Sequence, residues 1–419
     1  MRIEVTDQLV SLYSEKYTTA ALFYITKNTT VCTTDFVCSE KHDYLFEVPC
    51  YYTKHNMRLI TFPGQGTPIS VPQLKAVINA KAKEFEKIVS RNGPKTNELL
   101  QYVFRNPASA GSIAVCSNLF YQLYDINLNE QFRALQYTNQ MRKDYEDLIL
   151  LGHSLGELTC LSINQLFSLR DLFNIANYRN DLMVKYTDKY LVAHKMNHST
   201  KFEMWALSSP RAEDLPLQTL SLINSIRHTA PTISVANVNS SKQCVVTGVV
   251  EDLEKLRIES QTRFPRLRVT ELTNPNNVAF HNSTVLRPIQ EPLYDYIWDI
   301  LKLNQNHTTT KLDYPIIGNL DGRISTFVHH AIERFVRCSS NTVKFTECYD
   351  TINEVLEIND GAICMGPSNV IYNLIKRNCN LDCYEYSTLD TIDAFQNGEF
   401  ERLKGIKDKL AKESMKMQI

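Results

Sequence analysis

"DLILLGHSLGEL", residues 147–158, decides how this chain is read. Four apolar residues, Leu148 to Leu151, run straight into Gly152-His153-Ser154-Leu155-Gly156. Glu157 then opens "LTCLSINQLFSL", which is apolar at helical spacing. A short unbroken apolar run reads as a buried strand, and the periodic stretch after it reads as a helix. Gly-x-Ser-x-Gly at a strand-to-helix junction is the nucleophile elbow. So tight a turn needs tiny neighbours, which accounts for Gly152 and Gly156. The serine is pushed out at the C-terminal edge of the sheet. The helix that follows aims its free N–H groups at the same spot, where they favour developing negative charge. The rival reading is a glycine-bounded turn with an incidental serine; strand before and helix after favour the nucleophile.

A serine nucleophile needs a base. Ten histidines are available. His153 sits beside the serine on the elbow and should point away. His281 lies in "NPNNVAFHNSTVLRP", a polar loop before a helix. Loops that deliver the chain back to a sheet edge are where bases sit. Taken alone, His281 also reads as a surface or capping histidine.

Working outward, strands and helices alternate from Met57. "RLITF" is a strand and 72–90 a helix, while "GSIAVCSNLFYQLY" (111–124) is a buried or amphipathic helix. The polar residues 125–146 read as a surface insertion, and 157–168 as a helix. Such alternation predicts an α/β domain with a mostly parallel sheet. Residues 202–272 follow a different order, βαββαβ, the ferredoxin-like arrangement. Patterning of the first kind then resumes with "YPIIGNLDG" (314–322) and "AICMGPSNVIYNLIKR" (362–377). The expected division is therefore a large α/β domain over 57–200 and 273–400, with a ferredoxin-like subdomain at 201–272 inserted into it. A Lys-rich helical tail at 401–419 reads as a solvated face.

Residues 1–56 hold five basic and seven acidic residues and form an extension of a different character. A matrix-targeting presequence should be rich in arginine and poor in acids, so the fit is bad. The aromatic residues Tyr44, Phe46, Tyr51 and Tyr52 leave open a structured cap.

With 419 residues, 43% hydrophobic and 22% charged, the composition is that of an ordinary globular chain large enough for two domains. A net charge of −1 removes bulk attraction to nucleic acid or anionic membrane. No apolar run approaches the roughly 18–20 residues of a membrane span. Eleven cysteines, an odd number, show no paired CxxC and no zinc spacing; the CxxxC of Cys379 and Cys383 stands alone. Free thiols in a reducing compartment and no bound metal are the expectation.

The motifs "FPGQG" (62–66), "GHSLGE" (152–157), "AFH" (279–281) and "GPSNV" (366–370) occur in that order. This ordered set resembles malonyl-CoA:acyl carrier protein transacylases. The stretch from Met57 to about residue 380 is similar to the stand-alone fungal mitochondrial members. The resemblance implies an α/β-hydrolase-like parallel-sheet core with an inserted ferredoxin-like subdomain. It implies that Ser154 is the acylated nucleophile and His281 its base. Arg179, 25 residues beyond the serine, would bind the malonyl carboxylate. The backbone N–H groups of Gln65 and Leu155 would form the oxyanion hole. The carbonyl of Lys344 would orient His281, at a position where the family commonly has glutamine. Gly64, Gly66, His153, Asn237 and Asn319 would support the site. Two further departures are the absence of the glutamine that precedes the helix near Gly111 in bacterial members, and "GPSN" in place of "GPG".

The implied reaction moves malonyl from malonyl-CoA to the phosphopantetheine thiol of acyl carrier protein through a malonyl-serine ester. It supplies type II fatty acid synthesis in the mitochondrial matrix, with no cofactor. Phe280 would limit space at the α-carbon. Arg263, Arg266, Arg268, Lys376 and Arg377 are candidates for a basic surface that receives the acidic carrier protein. Two rivals remain at this point. A serine esterase or thioesterase shares the elbow but lacks the upstream His-Gly-Gly motif. A non-catalytic scaffold would have no reason to keep Ser154, His281 and Arg179 together.

Overall fold

The computed structural model describes residues 10–11, 22–26, 29–32, 57–138, 147–197, 199–264, 266–357 and 360–416. The chain divides into two units, Met1–His55 and Asn56–Ile419. In the first, β1 (Val10–Ser11), β2 (Leu22–Thr26) and β3 (Thr29–Cys32) form an antiparallel sheet. Tyr44, Phe46, Tyr51 and Tyr52 lie outside the described residues.

The second unit begins with β4 (Arg58–Phe62). Four helices follow: α1 (Val71–Ala80), α2 (Ala82–Asn92), α3 (Lys95–Arg105) and α4 (Ala110–Ala134). Strand β5 (Leu148–Gly152) leads to α5 (Leu155–Ile163) and α6 (Leu169–Ala193). Then come β6 (Phe202–Ser208), α7 (Leu215–Ile226), β7 (Ser234–Ser240), β8 (Gln243–Val249), α8 (Val250–Arg263) and β9 (Arg268–Leu272). The chain continues through α9 (Ser283–Leu286), α10 (Gln290–Leu303), β10 (Lys311–Ile317), β11 (Ile324–Phe327) and α11 (Val328–Cys338). Last are β12 (Val343–Lys344), α12 (Phe345–Val355), β13 (Ala362–Met365), α13 (Val370–Asn378), β14 (Cys383–Tyr386) and α14 (Leu389–Lys416).

The large sheet has the order β11-β10-β5-β4-β13-β14, parallel except for the β10–β11 pair. Strand β5 is internal, and all five of its residues are buried. Successive side chains of a strand face opposite ways. Accordingly Ile60, Phe62, Leu150, Ile316 and Met365 join one core with α1 to α6 and α9 to α11. Leu59, Leu151, Ile317 and Cys364 join a second core with α12 and α13. A sheet covered on both faces explains why "LILL" shows no alternation of polar and apolar residues.

The small sheet has the order β12-β7-β8-β6-β9. The four strands of the βαββαβ stretch are antiparallel to their neighbours within it, and α7 and α8 supply its core through Leu215, Leu222, Leu253 and Leu256. A fifth strand, β12, comes from outside residues 201–272 and pairs in parallel with β7.

Two expectations are corrected. Residues 125–146 are not an insertion as a whole, because α4 runs on to Ala134 with Ile126, Leu128 and Phe132 buried; residues 139–146 lie outside the described residues. The tail from 401 is helical, as expected, being the last part of α14, but that helix is not simply a solvated face. Its Leu403 is buried, and its Glu399 accepts from Arg58 at 2.9 Å in a buried ion pair. Among the described residues no helix is long and apolar enough to cross a membrane, and no three or more His, Cys, Asp or Glu side chains are grouped so as to hold a metal ion.

Candidate active site

The elbow follows from its glycines. A Cβ on Gly152 would lie 1.9 Å from the carbonyl carbon of Gly156, and one on Gly156 would lie 2.5 Å from the oxygen of Phe62. No side chain fits at either position. Between them Ser154 takes φ +50° as the residue that caps α5. A non-glycine residue holds such a conformation only when its surroundings enforce it.

Asn319 is part of what enforces it. Its Oδ1 accepts from the Ser154 N–H at 2.7 Å, and its Nδ2 donates to the Gly152 carbonyl at 2.7 Å. Asn319 is itself held from two sides. Its N–H donates to Glu157 Oε1 at 2.9 Å, and its carbonyl accepts from the Lys344 N–H at 2.8 Å. Glu157 is buried, and desolvation pushes its carboxyl up to about 8.

His281 arrives on a pinned loop. Asn274 bridges to both the N–H and the carbonyl of Val278, and the Ala279 N–H donates to Thr187 of α6 at 3.1 Å. The ring then lies with Nε2 at 2.8 Å from Ser154 Oγ. Its Nδ1 lies 2.8 Å from the carbonyl of Cys338 and 2.9 Å from that of Asn341. Carbonyls only accept, so Nδ1 carries the proton and Nε2 presents a lone pair to the serine. Burial first, and the nearby Arg179 charge second, lower the imidazole to about 3. The expected orienting carbonyl, that of Lys344, does not perform this task. Its oxygen accepts instead from Cys348 Sγ, and its side chain pairs with Glu347. The bond from its N–H to Asn319 is its link to the site.

Arg179 sits on the buried stripe of α6, formed by Leu172, Ile175, Ala176, Leu182 and Met183. It is 1% exposed, and desolvation lowers it to about 10. Nη2 donates to Ser154 Oγ at 3.2 Å, Nε to Ser339 Oγ at 2.8 Å and Nη1 to Gln65 Oε1 at 3.5 Å. Nucleophile, imidazole and guanidinium thus meet on one oxygen.

The loop 62–66 latches onto the elbow. Phe62 O accepts from the His153 N–H at 2.9 Å, and the Gly64 Cβ position is 2.7 Å from His153 O. Gly66 closes this turn with φ +89°. The N–H groups of Gln65 and Leu155 donate to no protein acceptor among the described residues. The Ser154 N–H is already taken by Asn319. His153 points its ring at Phe345, edge-on at 4.9 Å, and desolvation lowers it to about 4. Asn237 lies on β7 with its Oδ1 buried and unbonded among the described residues, so it joins none of these contacts. Phe280 is half-buried against the large core. Arg263, Arg266 and Arg268 are exposed around the α8–β9 turn, and Lys376 and Arg377 are exposed on α13, a helix of the other sheet.

The sequence reading missed Ser339, Glu157, Asn180 (whose Oδ1 accepts from Gln65 Nε2 at 2.7 Å) and the carbonyls of Cys338 and Asn341. A signal existed for Glu157, a carboxylate within a run of apolar helix residues. Backbone carbonyls leave none.

No family model matches the chain. It is 62% identical over 357 residues to "Malonyl CoA-acyl carrier protein transacylase, mitochondrial" of Saccharomyces cerevisiae, covering 82% of this chain and 99% of that one. The fold is similar to that of malonyl-CoA:acyl carrier protein transacylase from Helicobacter pylori, with TM-score 0.60 and 19% identity over 82% of this chain and 98% of that chain. It is also similar to a malonyl-transacylase solved in complex with its type II PKS acyl-carrier protein, with TM-score 0.59 and 18% identity over 81% and 99%. Its identity to nearly the whole of the yeast enzyme places the chain in the malonyl CoA-acyl carrier protein transacylase family.

Proposed function

We propose that this chain transfers malonyl from malonyl-CoA to the phosphopantetheine thiol of acyl carrier protein, in two half-reactions through an ester on Ser154. The observation that carries the reading is the convergence on Ser154 Oγ, with His281 Nε2 at 2.8 Å and Arg179 Nη2 at 3.2 Å. His281 accepts the serine proton as the oxygen attacks the thioester carbonyl. The N–H groups of Gln65 and Leu155 take the oxyanion. The carbonyls of Cys338 and Asn341 stabilise the imidazolium, which then protonates the departing sulfur of coenzyme A. The carrier-protein thiol enters, gives its proton to His281 and attacks the ester, and the serine is restored. No cofactor takes part.

Arg179 selects malonyl. Its guanidinium is buried, and its hydrogen bonds go to Ser339, Gln65 and Ser154 and not to a carboxylate, Glu157 acting on it only through its charge. A carboxylate on the substrate completes it, whereas a neutral acetyl group leaves it uncompensated at a cost of several kcal/mol. The malonyl charge also offsets the Arg179 charge that lowers His281. The base therefore gains proton affinity once the correct substrate is bound, moving toward the range useful for proton transfer.

The architecture is read as an α/β-hydrolase-like core carrying an inserted ferredoxin-like subdomain. The support for the latter is the order β9-β6-β8-β7 of its four strands. The domain division is 57–200 with 273–400 and 201–272, with β12 shared across the boundary. The 62% identity to a mitochondrial enzyme supports action in the mitochondrion, supplying malonyl carrier protein for fatty acid synthesis. The direct test isolates the acyl-enzyme and adds holo carrier protein. Transfer to the carrier thiol that greatly outpaces hydrolysis is expected. Loss to water at the same rate with or without carrier protein would make the chain a hydrolase.

A further inference from the structure

We infer that Ser339 is a positioning residue for malonyl recognition: it occupies the Nε edge of Arg179, so that the substrate carboxylate is taken end-on by Nη1 and Nη2. The inference rests on the reading of Arg179 as the carboxylate-binding group. A guanidinium offers a carboxylate two kinds of paired edge, side-on through Nε and one Nη, or end-on through both Nη groups. Which edge is free decides where the acyl chain points.

The Nε edge is closed. Ser339 Oγ accepts from Nε at 2.8 Å and lies 2.9 Å from the Phe335 carbonyl. Nε–H can only donate and the carbonyl can only accept. The single hydroxyl proton is therefore committed to Phe335 and the lone pair to Arg179. Ser339 is 1% exposed, so water does not compete for either bond. The Phe335 ring, 5.7 Å from the guanidinium carbon, packs against the same group.

The end-on edge is held only loosely. Nη1 and Nη2 touch Gln65 Oε1 at 3.5 Å and Ser154 Oγ at 3.2 Å, both longer than the 2.7–2.9 Å of a charge-assisted bond to carboxylate. Two carboxylate oxygens can replace them at little cost. A carboxylate on that edge stands beside the serine oxygen, which brings the thioester carbonyl of the same short acid to the nucleophile. The stretch 338–341, at the end of α11, thereby sets two groups at once. Its Cys338 and Asn341 carbonyls orient the base, and its Ser339 hydroxyl orients the clamp.

The test compares Ser339→Ala, Ser339→Thr and Arg179→Ala in the full chain, measuring acylation of the enzyme by malonyl-CoA and by acetyl-CoA, with a thermal melt of each. Ser339→Ala is expected to lower kcat/KM for malonyl-CoA by about ten- to a hundredfold, the range of a lost hydrogen bond to a charged group, while acetyl-CoA changes less than about threefold. Ser339→Thr keeps the hydroxyl and is expected to restore most of the malonyl rate. Should Ser339→Ala unfold, Ser339→Cys keeps the volume with a weak acceptor and reads the same contrast. Equal losses for both donors would mean that Ser339 acts by holding the His281 loop, and would overturn the inference. Wild-type malonyl selectivity in Ser339→Ala, with selectivity lost in Arg179→Ala, would overturn the inference alone. Unchanged selectivity in Arg179→Ala would overturn the carboxylate reading beneath it, and the inference with it.

Discussion

Replacing Asn319 by alanine tests whether the elbow is held from outside. The change removes two side-chain hydrogen bonds of 2.7 Å, one to the Ser154 N–H and one to the Gly152 carbonyl. Asn319 is fully buried, so both backbone groups are left without a partner or must move to find one. Each buried group so orphaned costs about 1–3 kcal/mol. The variant should therefore be destabilised by roughly 2–6 kcal/mol, a melting shift of roughly 2–7 °C for a chain of this size. The backbone bonds of Asn319 to Glu157 and Lys344 survive, so the fold itself should persist. Ser154 at φ +50° stores strain of order 1–3 kcal/mol and will relax once its N–H is released. A shift of about 1 Å in the hydroxyl is enough to lower the acylation rate about a hundredfold. Rapid-quench measurement of acyl-enzyme formation from malonyl-CoA, with a thermal melt on the same sample, gives both numbers. A variant that melts several degrees lower but acylates at the wild-type rate would refute the claim that Asn319 sets the nucleophile.

The remaining predictions concern charge and boundaries. Arg179→Ala removes the second cause of the low His281 pKa while burial, the first, stays. With a positive charge gone the imidazolium is less disfavoured, so the acid limb of acetyl transfer should move to higher pH; a limb that does not move would show that Arg179 does not act on the base. Charge reversal at Arg263, Arg266 or Arg268 should raise KM for carrier protein more than KM for malonyl-CoA, most strongly at low salt; equal effects on both would discard that surface. A chain beginning at Met57 should melt within a few degrees of the full chain and keep its transfer activity, since Met1–His55 forms a unit of its own. A drop of more than about ten degrees would make the first unit part of the fold that carries the site.

The parts of this molecule legible from sequence are those that rest on local geometry. Gly152 and Gly156 announce a turn that excludes side chains, and the run from Leu148 to Leu151 announces a strand buried on both faces. Neither needs knowledge of a distant residue. The supports of the site are of another kind. His281 is oriented by the carbonyls of Cys338 and Asn341, and any residue has a carbonyl; the expectation of Lys344 misplaced this contact within one short loop. Ser339 looks like any serine until the Nε of Arg179 stands 2.8 Å away. The same holds for the two misread segments. Polar residues after Tyr124 suggested an insertion, yet Asn127 is buried and donates to the Tyr386 hydroxyl at 3.3 Å. The Lys-rich tail suggested a solvated face, yet its Lys407 donates to the Leu135 carbonyl and its Leu403 is buried. A polar residue can be buried when the fold brings it a partner, and that partner lies hundreds of residues away.

The claim on which all of this depends is that Ser154 carries the malonyl group. Brief incubation with malonyl-CoA, followed by digestion and mass mapping, tests it directly. The account predicts one malonyl ester, on the peptide containing Ser154, absent in Ser154→Ala and discharged on adding holo carrier protein. A label that persists in Ser154→Ala, or that maps to another residue, would contradict it.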